Sequence, residues 1–338
     1  MRARVDPIEA GSVALIVAAA SSPLVLWVMK ERVIDIPNQR SSHVVPTPRG
    51  GGLAILAGVA AGLIAAQPFS GVVGAAFVTA FLLGVVGLLE DIRGLRISMR
   101  LMLQAWASLV GVLWLLENLE IPALPDVLVV ILALIWLLGV TNAFNFMDGI
   151  NGISAIQLMV AGIAWGVIGA LEDIDLLVAL GAITAGSSLG FLPWNFPKAR
   201  FFMGDVGSYF SGGWLAMLAI IGIGMGVHPA AMVAPLLVYI ADTSYTLLRR
   251  VLRGEDWLKS HRSHVYQRLV ISGWSHVKTT LFFALVAVTT AASGMGWIFD
   301  SATLAAAGSV VTAIAVAGYL VAPRLSQRRS LGHGVDPR

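Results

Sequence analysis

The 338 residues include no cysteine, are 57% hydrophobic and only 12% charged, and carry a formal charge of +3. Ordinary soluble domains are about 25% charged, so a membrane protein is expected. Disulfides, thiolate metal sites and a cysteine nucleophile are excluded, and any metal must be held by oxygen or imidazole.

Apolar stretches near 10–30, 51–68, 71–89, 101–117, 126–142, 153–171, 174–192, 209–226, 229–249, 277–296 and 302–322 are each long enough to cross a bilayer as a helix. The expected fold class is all-α, a polytopic integral membrane protein of about eleven transmembrane helices. Residues 1–322 read as one transmembrane catalytic domain and 323–338 as a basic cytoplasmic tail. The first run is followed by Lys30, Glu31 and Arg32 instead of a small-residue cleavage site, so it reads as a retained span. Basic residues fall on alternate connections: Lys30 to Arg49, Arg93 to Arg100, Lys198 and Arg200, Arg249 to Lys278, and Arg324 to Arg338. The opposite side holds only Arg2 and Arg4, with Glu117, Glu120, Asp126, Glu172, Asp173, Asp175 and Asp300. The positive-inside rule puts the N-terminus outside and the C-terminus in the cytoplasm. The same asymmetry accounts for the basic charge without nucleic acid.

The polar clusters fall on the cytoplasmic side. In the first connection, Pro37, Pro46 and Pro48 break any helix, and Gly50 to Gly52 make either a permissive turn or a backbone approach to a ligand. Arg40, His43 and Arg49 there can donate to an anion. The next holds Glu90 and Asp91, followed by Arg93, Arg96 and Arg100. These acids read as an interfacial cap, a metal site or a proton acceptor, since two close carboxylates push one pKa up. The run Asn142-Ala-Phe-Asn145-Phe-Met-Asp148-Gly-Ile-Asn151-Gly152, pinned between two apolar segments, costs several kcal/mol unless something polar compensates, and is the first functional candidate. Asp205 lies between Gly204 and Gly207 before a span, either as a helix cap or with room for close approach by other groups. His261, His264 and Arg268 are spaced i, i+3, i+7, which predicts one helix face suited to a nucleotide or diphosphate. Zinc is compatible with the spacing but lacks an obvious third ligand.

In this order the motifs resemble the polyprenyl-phosphate N-acetylhexosamine-1-phosphate transferases, glycosyltransferase family 4. Asn142-Ala-Phe-Asn-Phe-Met-Asp148-Gly, Phe202-Met-Gly-Asp205-Val-Gly-Ser208 and His261-Arg-Ser-His264-x-Tyr-Gln look most like the O-antigen-initiating branch. The resemblance implies a multi-pass enzyme of the bacterial inner membrane, working on its cytoplasmic face. There undecaprenyl phosphate attacks the β-phosphate of a UDP-N-acetyl sugar and UMP leaves. It implies Mg²⁺, with Mn²⁺ as a substitute, held by Asp205 and Asn145, and Asp91, Asp148 and Glu90 as the catalytic groups. Arg100 is expected on phosphate, His261 and His264 along the nucleotide-sugar site, and Arg40, His43, Arg49, Asn142, Asn151 and Arg268 complete the substrate-binding set. Expected partners are undecaprenyl phosphate, the UDP-N-acetyl sugar and the lipid bilayer, with no nucleic acid and a homodimer as the candidate assembly. Glu90 stands where the family usually has Asp, Asn151 where it often has Asp, and Arg100 where it often has Lys. The competing class is a polytopic proton-coupled transporter using Asp148 and Asp205. Carriers place polar groups at several depths, whereas these clusters gather at one interface.

Overall fold

Within a bilayer every backbone N–H and C=O must find a partner within the protein, which a helix supplies from its own segment, and each predicted span is accordingly helical in the computed structural model. The structure describes residues 6–36, 45–67, 70–119, 124–255 and 261–332. In chain order the helices are α1 (Pro7–Met29), α2 (Gly52–Ala66), α3 (Gly71–Arg93), α4 (Ile97–Leu116), α5 (Asp126–Met147), α6 (Ile153–Leu171) and α7 (Asp175–Asn195). They continue with α8 (Gly204–Gly224), α9 (Pro229–Val233), α10 (Leu237–Leu252), α11 (Val265–Ile271), α12 (His276–Gly294) and α13 (Ala302–Gly332). Two strands, β1 (Ile34–Asp35) and β2 (Thr47–Pro48), pair antiparallel across the base of the first connection. Among the described residues 10 helical stretches are long and apolar enough to cross a membrane, and the 15-residue α2 is a shorter apolar helix beside them. The protein is an all-α, multi-pass membrane protein.

Three helix limits differ from the hydropathy reading. Helix α5 continues into the polar run as far as Met147, and α8 starts at Gly204, ahead of its apolar stretch. Polar residues are tolerated on both because they meet one another, as described below. Helix α13 runs past Pro323 to Gly332, so the predicted boundary at 322 falls inside a helix that packs on α10, α11 and α12.

Helix α8 is the axis of the bundle, buried along nearly all its length between α3, α5 and α2. Close approach depends on glycine: a Cβ on Gly87 of α3 would overlap the main chain of Asp205, and one on Gly52 would overlap Gly207. Helices α6 and α7 pair on one flank, α1 packs on α7 and α2, and α12 and α13 pair at the periphery. The stretch 229–252 is broken by a 3₁₀ turn, Ala234–Leu236, around Pro235. The side-chain Nε2 of Gln157 donates to the Pro235 carbonyl at 2.8 Å, and Trp165 Nε1 donates to the Met232 carbonyl at 3.1 Å. The break is buried and apolar, with Ala231, Met232, Ala234, Pro235 and Leu236 packed inside, and offers no ionisable group to a permeating ion.

Candidate active site

The β1–β2 pair fixes the start of the site. Arg49 follows β2, its N–H bonded to the Val33 carbonyl at 2.9 Å and its Nη2 2.8 Å from Asp35 Oδ2. The segment before α8 lies alongside as a short ladder: Phe202 N donates to the Pro48 carbonyl, Gly51 N to the Phe202 carbonyl and Gly52 N to the Met203 carbonyl, at 2.8–2.9 Å. Gly204 then turns the chain at φ +76°, where a side chain is strained, and a Cβ would lie 2.8 Å from Asp91 Oδ2. The ladder and the glycine therefore deliver the start of α8 to the end of α3.

Four helices and the segment after β2 contribute polar groups there. Asp91 Oδ2 accepts from Val206 N at 2.9 Å, while its buried Oδ1 has no hydrogen-bond partner and lies 3.9 Å from Arg49 Nη1. Asn145 Nδ2 donates to Asp205 Oδ1 at 2.7 Å and to Ser208 Oγ at 2.9 Å. Asp205 is thus in the first turn of α8 and not its cap; Met203 occupies the cap position without a side-chain bond. Glu90 Oε2 accepts from Leu95 N at 2.7 Å, and Arg100 Nη1 lies 3.6 Å from Glu90 Oε1. Asp148 closes α5 as its C-cap. Burial pushes its carboxyl up to about 7, and the charge of Asp205 adds to this, against a Ser154 hydrogen bond and Arg49.

The histidine segment docks onto the same end of α5. Tyr266 Oη donates to the Phe146 carbonyl at 3.0 Å, and the His264 ring stacks on Phe146 with 6.1 Å between centroids. The predicted helical face of His261, His264 and Arg268 does not exist. Helix α11 begins at Val265, so His264 is its cap, His261 precedes it, and Arg268 points towards Tyr245. His264 Nδ1 lies 3.1 Å from Asp242 Oδ1, and its N–H donates to Gln267 Oε1 at 3.2 Å. His261 stands 5.0 Å from His264, ring to ring; burial, then His264 and Arg250, lower its pKa to about 4, so it is neutral at pH 7.

Two other expected ligand residues are engaged in scaffolding. Asn142 Nδ2 donates to Gln104 Oε1 and to the Leu138 carbonyl, both at 2.8 Å. Asn151 Nδ2 donates to the Pro197 carbonyl at 3.1 Å, its Oδ1 lies 3.2 Å from His276 Nδ1, and its carbonyl accepts from Thr280. Arg40 and His43 lie outside the described residues.

Sequence reasoning missed Asp242. It is fully buried on α10 and accepts from His264 Nδ1, Val265 N, Thr246 Oγ1 and, at 2.9 Å, Tyr319 Oη. An ionisable residue inside an apolar span was the available signal.

Among the described residues no group of three or more His, Cys, Asp or Glu is arranged to hold a metal. What the carboxylate end does offer is oxygen: Asp205, the Asn145 amide, and Asp91 with its unpartnered Oδ1. That donor set fits a hard cation taking few protein ligands and completing its shell with water and phosphate, as Mg²⁺ does, and does not fit zinc.

Membrane-length helices that bring buried carboxylates and arginines to one end define a polytopic membrane protein with an interfacial polar site. Residues 73–223 match the family described as Glycosyl transferase family 4. The matched region includes Glu90, Asp91, Arg100, Asn145, Asp148 and Asp205. The chain is 29% identical over 309 residues to a probable undecaprenyl-phosphate N-acetylglucosaminyl 1-phosphate transferase of Bacillus subtilis, covering 86% of this chain and 84% of the relative. It is 28% identical over 329 residues to a decaprenyl-phosphate N-acetylglucosaminephosphotransferase of Mycolicibacterium smegmatis, covering 85% and 81%. A phospho-N-acetylmuramoyl-pentapeptide-transferase of Synechococcus is 33% identical over 173 residues, about half of each chain.

Proposed function

We propose that the protein transfers an N-acetylhexosamine 1-phosphate from a UDP-sugar to undecaprenyl phosphate on the cytoplasmic face of the membrane. The product begins a cell-surface polysaccharide such as O-antigen. An oxygen of the lipid phosphate attacks the β-phosphorus of the donor; the bond from that phosphorus to the bridging oxygen breaks, and UMP leaves with it. The names of the relatives support a polyprenyl phosphate as acceptor and N-acetylglucosamine as the sugar.

The observation that carries this reading is the meeting of Asp91, Asp205 and Asn145 with Arg49, beside the Glu90–Arg100 pair, at the ends of membrane-length helices. A diphosphate donor and a phosphate acceptor bring several negative charges together, so the reaction needs a hard cation and guanidinium groups more than a nucleophile. Asp205 and Asn145, with Asp91, would hold Mg²⁺, which when bound neutralises charge on the diphosphate. Arg49 and Arg100 bind phosphate oxygens. Arg100 now faces Glu90, and the arriving anion draws it away. Asp148 accepts a proton from the fraction of lipid phosphate that still carries one; with a second pKa near about 6 that fraction is small at neutral pH. A lipid acceptor also accounts for a site at the ends of spans.

Purified protein is expected to release UMP from UDP-N-acetylglucosamine only when polyprenyl phosphate is present. UMP release without the lipid, or none with any UDP-N-acetyl sugar, would sink the proposal. Sidedness is read by a cytoplasm-active reporter fused after Arg338; activity of a periplasmic reporter there reverses it.

A further inference from the structure

Arg268 joins Arg249 and Arg324 around one side chain, Tyr245. The Arg249 guanidinium lies 6.0 Å from the centre of the Tyr245 ring, Arg324 Nη2 donates to the Tyr245 hydroxyl at 3.3 Å, and Arg268 lies near enough for Tyr245 to act on its charge. The three come from separate elements, α10, α11 and α13. Among the described residues none of them has a carboxylate within 4.0 Å, whereas Arg250, the neighbour of Arg249, is paired with Glu255 at 3.0 Å. Arg268 Nη1 and Arg249 Nε are buried without a hydrogen-bond partner. Burial, and then the Arg249 charge, hold the Arg268 pKa below its ordinary value.

Basic residues are common where spans leave a membrane, but like charges spread into water unless something holds them together. Here three converge on a phenol with donors unused. Planar guanidinium forks match the oxygens of a phosphate. Depth identifies the source: Arg249 is in the last turn of α10, which ends the 229–252 stretch, and Arg324 is close to the end of the 302–326 stretch. Both lie where membrane-crossing helices reach the headgroups. The window of α13 is only 17% buried, so this edge of the bundle opens towards lipid.

We propose that Arg249, Arg268 and Arg324, gathered on Tyr245, bind the headgroup phosphate of an anionic membrane lipid at a site separate from the carboxylate cluster. Occupancy ties α10, α11 and α13 together. His264 caps α11 and α10 carries Asp242, so the bound headgroup steadies the segment that meets the end of α5.

The test is lipid retention by the full-length protein in neutral detergent, read by native mass spectrometry with phosphatidylglycerol, phosphatidylcholine or inorganic phosphate added. The parent is expected to retain phosphatidylglycerol and neither of the others. Arg324→Gln and Arg249→Gln should each lower retention about fivefold, the worth of one basic side chain at an anionic surface. Arg324 is exposed, so its variant is expected to elute from size exclusion like the parent and decides the matter if Arg249→Gln does not fold. Unchanged retention by Arg324→Gln, equal retention of phosphatidylcholine, or equal retention of inorganic phosphate overturns the proposal. Retention does not depend on UMP release, so this proposal can fail while the transferase reading stands.

Discussion

Asp91 and Asp242 are both buried carboxylates on membrane-length stretches, with opposite surroundings. Asp242 accepts from His264, Val265, Thr246 and Tyr319, and its two oxygens are saturated. Asp91 keeps one oxygen on Val206 N and leaves the other without a hydrogen bond. A buried carboxylate costs several kcal/mol unless compensated. The saturated one recovers that cost within the fold and works as a post. The unsaturated one retains capacity for a ligand that is not part of the chain.

The widest test of this contrast is exchange of the acids for amides. Asp91→Asn and Asp205→Asn are expected to lower UMP release by about 10²- to 10³-fold, the scale of losing a preorganised electrostatic contact, without lowering the melting temperature. Asp205→Asn should regain part of its rate at high Mg²⁺ or with Mn²⁺. Parental activity and metal dependence in Asp205→Asn would remove the metal site. Asp242→Asn should do the reverse, losing about 3 kcal/mol of stability through its stranded donors while the folded fraction still turns over. If thermal melts show Asp91→Asn to be the unstable variant and Asp242→Asn the stable one, the contrast is wrong.

Smaller effects sharpen the contrast. Arg100→Ala should lower affinity or rate about ten- to a hundredfold, since one charge-assisted contact is lost; a normally expressed variant that turns over like the parent rules out phosphate contact by Arg100. For Asp148 the sign follows from its raised pKa. It holds its proton below about 7, so kcat/KM should rise about tenfold between pH 6 and 8 and level off above. Asp148→Asn should flatten that limb, and a limb that persists in the variant belongs to another group.

Much of this was legible in the sequence because bilayer physics leaves few options. Each predicted apolar stretch is helical, although among the described residues ten and not eleven are long enough to cross a membrane, and Asn145 and Asp205, 60 residues apart in the chain, meet as polar groups pinned at helix ends should. The chain hides what depends on partners outside a local window. The spacing of His261, His264 and Arg268 suggested one face, but a helix that starts at Val265 cannot display His261, and a histidine in the cap position masks the capping pattern completed by Gln267. The ladder between 48–52 and 202–203 has no periodic signature, because it is three backbone bonds between irregular segments. Spacing also does not reveal that the Asn142 and Asn151 amides donate to Gln104 and to the Pro197 carbonyl, or that Asn151 meets His276.

The broken stretch around Pro235 bears on the order in which the protein is made. Its carbonyls at Met232 and Pro235 accept from Trp165 and Gln157, both on α6, 67 and 78 residues earlier in the chain. During synthesis α6 enters the bilayer first, so the partners are waiting when the interrupted segment leaves the ribosome. The dependence runs the other way too. A chain that ends before Pro229 leaves the Gln157 amide and the Trp165 indole N–H without these acceptors, two buried donors that only the later segment satisfies.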